Sequence, residues 1–309
     1  MPKIAEENVL LEGTVKSSSY RKLIKKLYVN TSVVIGAKIG FIVLLLVVIY
    51  YPTAGWMWTR WFWADSYYSH GPLIPLVSGV LIWLKRRELA EAQISYSKPG
   101  IFILSAGLFL HLLSALVFIQ SISGFSLPIV MIGLVLYLFG WEITRIVLFP
   151  LGFLFFIAPA PLQFIAATTL KMKLFAAHIS AIAVQLLGIP MVREGSIVHL
   201  SNTTITVGDP CSGLRSLISL TALGVLYAYL AQSSYPKRVA LVLASIPIAI
   251  IANIIRVIGV IVVANSYGNR IVTDGLVHDA FGFSVFVIAL AGLILTGRIL
   301  GCQILKKDT

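Results

Sequence analysis

Apolar runs follow one another along most of this chain, at roughly 31–51, 71–84, 99–120, 125–141, 146–161, 214–231, 239–264 and 280–300. A helix needs about 20 such residues to cross a hydrocarbon core of roughly 30 Å, and lipid offers its backbone no other hydrogen-bond partners. The expected fold is therefore an all-α polytopic membrane protein with about eight transmembrane helices. The second and fifth runs are short, so tilting or re-entry leaves seven or nine as alternatives. Composition agrees, with 58% of residues hydrophobic and only 12% charged, against about 25% charged in soluble domains. No cleavable signal peptide is evident, because mostly polar residues fill 1–30 before the first apolar run.

The net charge of +12 would point to nucleic acid in a soluble chain, but here basic loops account for it and no nucleic-acid partner is expected. With the N-terminus inside, 16 of the 24 Lys and Arg residues fall in cytoplasmic segments, 6 fall outside, and Lys38 and Arg256 lie within spans. That asymmetry orients the chain in the plasma (inner) membrane with both termini cytoplasmic. The layout is a basic segment 1–30, a transmembrane domain 31–300 and a short tail 301–309. The long interruption 162–213 is placed on the extracytoplasmic side.

That loop opens with apolar residues interrupted by Lys171, Lys173, His178 and Gln185, a stretch suited to the interface or to dipping into the bilayer. Two β-rich runs, 197–200 and 204–207, then flank Ser201-Asn202-Thr203 and read as a small β-hairpin. On the same side, the segment 51–70 gathers Trp56, Trp58, Trp61, Phe62, Trp63, Tyr67 and Tyr68. Such clusters mark an interfacial aromatic belt more often than a ligand cage.

The loop ends in Gly208-Asp209-Pro210-Cys211-Ser212-Gly213-Leu214-Arg215. Asp209 suits an N-cap and Pro210 a first helical position, so Cys211 is expected at a helix start. Unpaired N–H groups and the macrodipole there favour a thiolate, although a cysteine in a membrane helix is also a common packing residue. Within 239–264, Asn253 and Arg256 lie three residues apart on one helix face. An arginine inside the bilayer costs a few kcal/mol unless it is paired or faces a polar cavity. Interhelical pairing and function are both open readings. His278 precedes the last run on the outer side, so thiol, guanidinium and imidazole sit toward the outer ends of three helices. Imidazole can activate a thiol or protonate a leaving amine, and guanidinium can hold an oxyanion. His111, inside the third run, suits an interhelical hydrogen bond.

These motifs resemble the exosortase/archaeosortase family of membrane cysteine transpeptidases. The likeness rests on Cys211-Ser212-Gly213-Leu214-Arg215-Ser216, on Pro247-Ile248-Ala249 leading to Asn253-Ile254-Ile255-Arg256-Val257, on His278 followed by Gly282, and on Tyr68-Ser69-His70-Gly71-Pro72. The resemblance implies Cys211 as nucleophile, Arg256 as the transition-state or substrate arginine and His278 as general acid/base. Asn253, Arg215, Ser212 and His70 are supporting candidates. It also implies membrane-anchored protein substrates whose C-terminal sorting tail carries a short motif such as Pro-Glu-Pro, a transmembrane helix and a basic end. The acyl group would pass through a thioester to a lipid amine, a glycan or water.

Two other classes share parts of this pattern. A transporter would place Arg and His in spans too, but should show repeated halves, and none is visible in the sequence. A membrane acyltransferase or serine-type intramembrane protease could use Ser212, although a thiol is intrinsically the better nucleophile at neutral pH. No cofactor is expected, and the five histidines have no metal-ligand spacing. Cys211 and Cys302 fall on opposite sides of the membrane, so no disulfide between them is expected.

Overall fold

A computed structural model describes residues 36–38, 40–63, 66–201, 203–208, 212–268 and 275–302, with backbone alone at 275–279. The segment 1–30, Asn202, Asp209, Pro210, Cys211, the His278 side chain and the tail beyond Cys302 lie outside this description. Contacts divide the chain into two units, Met1–Ala54 and Gly55–Thr309, and the bundle below is the second. The helices are α1 Gly36–Trp61, α2 Leu73–Leu84, α3 Arg86–Glu91, α4 Pro99–Val117, α5 Gln120–Phe153, α6 Leu162–Leu186, α7 Leu214–Leu230, α8 Tyr235–Tyr267 and α9 Gly275–Ile299. Between α6 and α7 lie β1 Met191–Glu194, β2 Ile197–Leu200 and β3 Thr204–Thr206.

Packing follows membrane rules, with small residues inside and large apolar ones outside. Helix α4 buries Gly100, Gly107 and Ser114 and turns Phe102, Phe109, Leu112 and Leu116 outward. Gly100 meets Tyr137 and Gly107 meets Val130, an antiparallel register with α5 in which the backbones touch. His111 Nδ1 lies 2.7 Å from Ser123 Oγ across the same seam, the interhelical hydrogen bond its sequence position suggested.

Helix α5 and the following 3-10 turn span 38 residues, about 57 Å if straight and far too long for one crossing. Gly140 breaks it with φ 84° and ψ −176°, a backbone that only glycine adopts readily. Gly124 on the first arm packs against Ala158 at the end of the second, so the chain doubles back at Gly140. The sequence suggested separate runs with a connection near 142–145, whereas a single glycine makes the turn. The 92–98 connection seals this break. Ser95 N–H donates to the Phe139 carbonyl at 3.2 Å and Gln93 N–H to the Glu142 carboxylate at 3.1 Å. Among the described residues α1, α4, α5 with its 3-10 turn, α6, α8 and α9 contain stretches long and apolar enough to cross a membrane, and α2 and α7 are shorter apolar helices, so about eight membrane helices is consistent with the structure.

Helix α7 lies between two cores. Ala222, Val225 and Leu226 belong with Met57, Ile74 and Val147, while Leu217, Leu220 and Tyr227 pack with Leu241, Ala249 and Leu293 of α8 and α9. At its far end, Tyr227 Oη donates to the Cys302 carbonyl at 3.1 Å and Cys302 Sγ lies 3.4 Å from Ser233 Oγ. Cys302 is buried there, packed into the fold rather than lying in a free tail.

At the opposite end, α6 and the sheet form a cap on α8. The expected hairpin is present as β2–β3, and β1 extends it to an antiparallel order β1-β2-β3. Strand β1 escaped sequence reading because Arg193 and Glu194 break its apolar pattern; the turn at Gly195, φ 62°, was its signal. Val198, Leu200 and Ile205 pack with Ala177, Ala181 and Val184 of α6 and with Val257, Ile261 and Ala264 of α8. Helix α6 is long and apolar enough to cross a membrane, yet it runs alongside α8 in the same direction. Met172 and Ala176 share a cavity with Ile250 and Asn253, and Ser180 Oγ reaches the Ile254 carbonyl further along.

Candidate active site

Helix α7 begins at Leu214, four residues later than an Asp209 cap would give. Gly213, at φ 82°, is the N-cap in a left-handed conformation that ends any earlier helix. A side chain at 213 would also strike Asn253: the added Cβ would stand 2.7–2.8 Å from the amide and 2.9 Å from the Asn253 Cβ. The residue two positions after Cys211 is thus pressed onto α8, and the glycine of the Cys-Ser-Gly motif is explained by contact rather than by flexibility.

Asn253 is 2% exposed and Arg256 8% exposed. They lie on one face of α8, and neighbouring groups engage both. Ser212, buried beside Cys211, lines a cavity of about 220 Å³ with Asn253, Ile250, Lys171, Met172 and Phe175. Arg256 sits one turn beyond Asn253, toward the cap. Sequence reading missed Lys171 and Phe175 as members of this site. The signal available was a pair of lysines, Lys171 and Lys173, interrupting an apolar helix.

Helix α9 reaches the same level by register. Gly292 faces Ile248 and Gly259 faces Phe281; continuing this antiparallel pairing by three residues sets position 278 opposite Val262. That is six residues from Arg256, about 9 Å along the axis. The Ser212–Gly213 step, the half of α8 bearing Arg256 and the start of α9 therefore lie toward one end of the bundle.

His70 and Arg215 occupy the other side of α7. His70 Nδ1 lies 3.0 Å from Ser219 Oγ, and the imidazole stacks on Tyr68 with centroids 5.9 Å apart. Ser219 is seven residues past Ser212, about 10 Å along α7, so His70 supports this helix and does not line the Ser212–Asn253 cavity. Burial lowers the His70 pKa to about 4, so the ring is neutral near pH 7. Arg215 is one turn before Ser219 on the same face. Among the described residues, Arg215 Nε and His70 Nε2 are buried without a hydrogen-bond partner.

Buried polar side chains at one end of a multi-pass bundle, beside a small antiparallel sheet, define a polytopic membrane protein with an internal polar site. The model of the transmembrane exosortase family matches residues 56–295, and the chain belongs to that family. No curated protein and no solved structure matches it. Membership carries an exosortase-type membrane function with membrane-associated protein substrates bearing sorting signals.

Proposed function

We propose that the chain is a membrane cysteine protease and transpeptidase that cleaves C-terminal sorting tails of exported proteins and passes the acyl group to an acceptor. The observation that carries this reading is the contact of Gly213 with Asn253, which ties the Cys211 loop to the α8 face bearing buried Arg256.

In this mechanism the Cys211 thiolate attacks the scissile carbonyl carbon and the C=O electron pair moves onto oxygen. Arg256 donates hydrogen bonds to that oxyanion, an electrostatic role of the oxyanion-hole type. The C–N bond then breaks, the His278 imidazolium gives its proton to the leaving amine, and the tail departs with its own helix. A thioester remains on Cys211. An acceptor amine or water attacks it while neutral His278 takes the proton, and the thiolate leaves. The basic-residue asymmetry of the loops supports an extracytoplasmic location for this chemistry.

Cys211→Ala should abolish processing of a tail-bearing reporter while the protein still accumulates in the membrane. Cys302→Ala should keep activity within about twofold, since that thiol packs at the other end of α7. Processing by the Cys211→Ala protein would overturn the assignment.

A further inference from the structure

The cavity of about 220 Å³ between α6 and α8 is lined at one end by Ser212 and Asn253. Met172, Phe175, Ala176 and Ile250 make the rest of its wall, and all four are apolar. Among the described residues Lys171 is the one charged group lining it, and that residue is exposed, at the rim. Ala176 is buried and marks the floor, whereas Phe175 is exposed and marks the mouth. At about 30 Å³ per water the space holds roughly seven, enough for one side chain and far too little for a helix. Ser212 is buried, accepts the Leu214 N–H at 3.4 Å and is bonded to Cys211. The cavity thus adjoins the step that carries the proposed nucleophile. Ile250 lies 15 residues from the start of α8, about 22 Å up its axis, within the roughly 30 Å of a hydrocarbon core. Back toward that start, the same helix face continues as Ile246 and Leu243, both exposed. One turn the other way stands Asn253, with Gly213 against it. A chain that leaves its own membrane helix along this face passes the cavity before it reaches the Ser212 step.

We propose that this cavity is a specificity pocket for one aliphatic side chain of the substrate, taken from the stretch between the scissile bond and the substrate's own transmembrane helix, with Ala176 and Phe175 setting its size. The proposal rests on the peptidase reading above and adds a position at which the substrate is selected. Each methylene buried against Met172, Ala176 and Ile250 tightens binding roughly fourfold. A polar side chain there is stripped of water without gaining equivalent partners. Lys171 offers little compensation to an acidic one, since a pair formed by an exposed, hydrated ammonium is worth little. Bulk is limited from the other direction, because a side chain that overfills the space displaces packed neighbours. The buried Ser212 hydroxyl has its own O–H to donate, so it can hold a main-chain carbonyl of the passing segment while the side chain enters the pocket.

The test reconstitutes full-length protein with a tail-bearing reporter in phosphatidylcholine liposomes. In one arm the protein carries Cys211→Ala, Cys302→Ser and Phe175→Cys, and single cysteines are walked along the reporter from its motif into its helix. Under mild oxidation a disulfide should form at one or two adjacent positions, on the helix side of the motif. No disulfide, equal disulfides at every position, or disulfides on the motif side alone would overturn the proposal. In the other arm, the Cys211-intact enzyme meets reporters varied at the position so found. Leu should be processed at least about tenfold faster than Ala or Asp, the discrimination a hydrophobic pocket gives, and Trp should be slowest. Ala176→Leu should fill the pocket and make Ala the better residue. Phe175→Ala, at an exposed site that leaves folding intact, should admit Trp. A flat size series overturns the proposal, and so does a preference for Asp that Lys171→Gln removes, which would make the cavity an anion site. The crosslinking arm needs no chemistry. Disulfides without processing of any reporter would sink the peptidase reading and leave the pocket standing, whereas processing with a flat series would do the reverse.

Discussion

Arg256 is 8% exposed on a helix whose adjacent residues are Ile255 and Val257. A guanidinium in such a place is retained for pairing or for chemistry, and the two differ in what lysine can replace. Lysine keeps the charge but loses the planar fork of donors. If Arg256 binds the oxyanion, Arg256→Lys should lower processing by about 10² to 10³, the usual loss for one oxyanion donor, with little change in melting temperature. A fully active, folded Arg256→Lys enzyme would sink the catalytic role. His70 offers a second readout at this scale. Its folded pKa of about 4 lies below the ordinary 6.5 because burial disfavours the charged ring. Between those values the unfolded chain binds more protons, so stability rises with pH across the interval and is lost as pH falls through it. The melting temperature should drop on acidification from pH 7 toward 5, and His70→Asn should flatten that dependence. An unchanged pH profile in the variant would show that His70 is not the group responsible.

At the scale of elements, α7 is positioned by one glycine. Gly213→Ala combines a left-handed φ with a clash against Asn253, so it should destabilise by about 1–3 kcal/mol and reduce processing at least tenfold by moving the Cys211 loop. Asn253→Ala removes the clashing amide, so the double variant should recover part of the lost stability, a coupling of about 0.5–3 kcal/mol. Strict additivity in thermal unfolding would show that the contact does not matter. The same glycine explains what the sequence could and could not convey. Apolar runs located the crossing helices because lipid imposes their length, and Asn253 with Arg256 stood out because charge is rare inside a span. The start of α7 was misread from Asp209 and Pro210, since cap propensity is local while Gly213 answers to a residue forty positions away. Gly140 was equally silent, because a lone glycine among apolar residues looks the same whether it packs or turns. Helix α6 shows the converse: composition fits a crossing segment, while its parallel packing on α8 and its contact with the sheet are visible only in the fold.

For the molecule as a whole, the two cysteines mark opposite ends of α7, one in the loop before it and one packed at its far end beside Ser233. In intact cells, a membrane-impermeant maleimide should label Cys211 in a Cys302→Ser background. Added cysteines calibrate the result: Ser266→Cys at the exposed cap end of α8 should be labelled, and Lys237→Cys at its start should be protected. The reverse pattern would move the proposed chemistry to the cytoplasmic face.

Helix α8 runs 33 residues, about 50 Å, against a hydrocarbon core of roughly 30 Å. Counted from Tyr235, Arg256 lies 21 residues along, about 32 Å up the axis, a length comparable to that core. The remaining turns act as a mast whose Val257, Ile261 and Ala264 carry the sheet and the last turns of α6. Helix length thereby becomes a ruler. On the peptidase reading, a tethered chain would present to the level of Arg256 only the few residues next to its own anchor, so the length of α8 before Arg256, together with side-chain recognition, would set how close to the membrane a bond must lie to be cut.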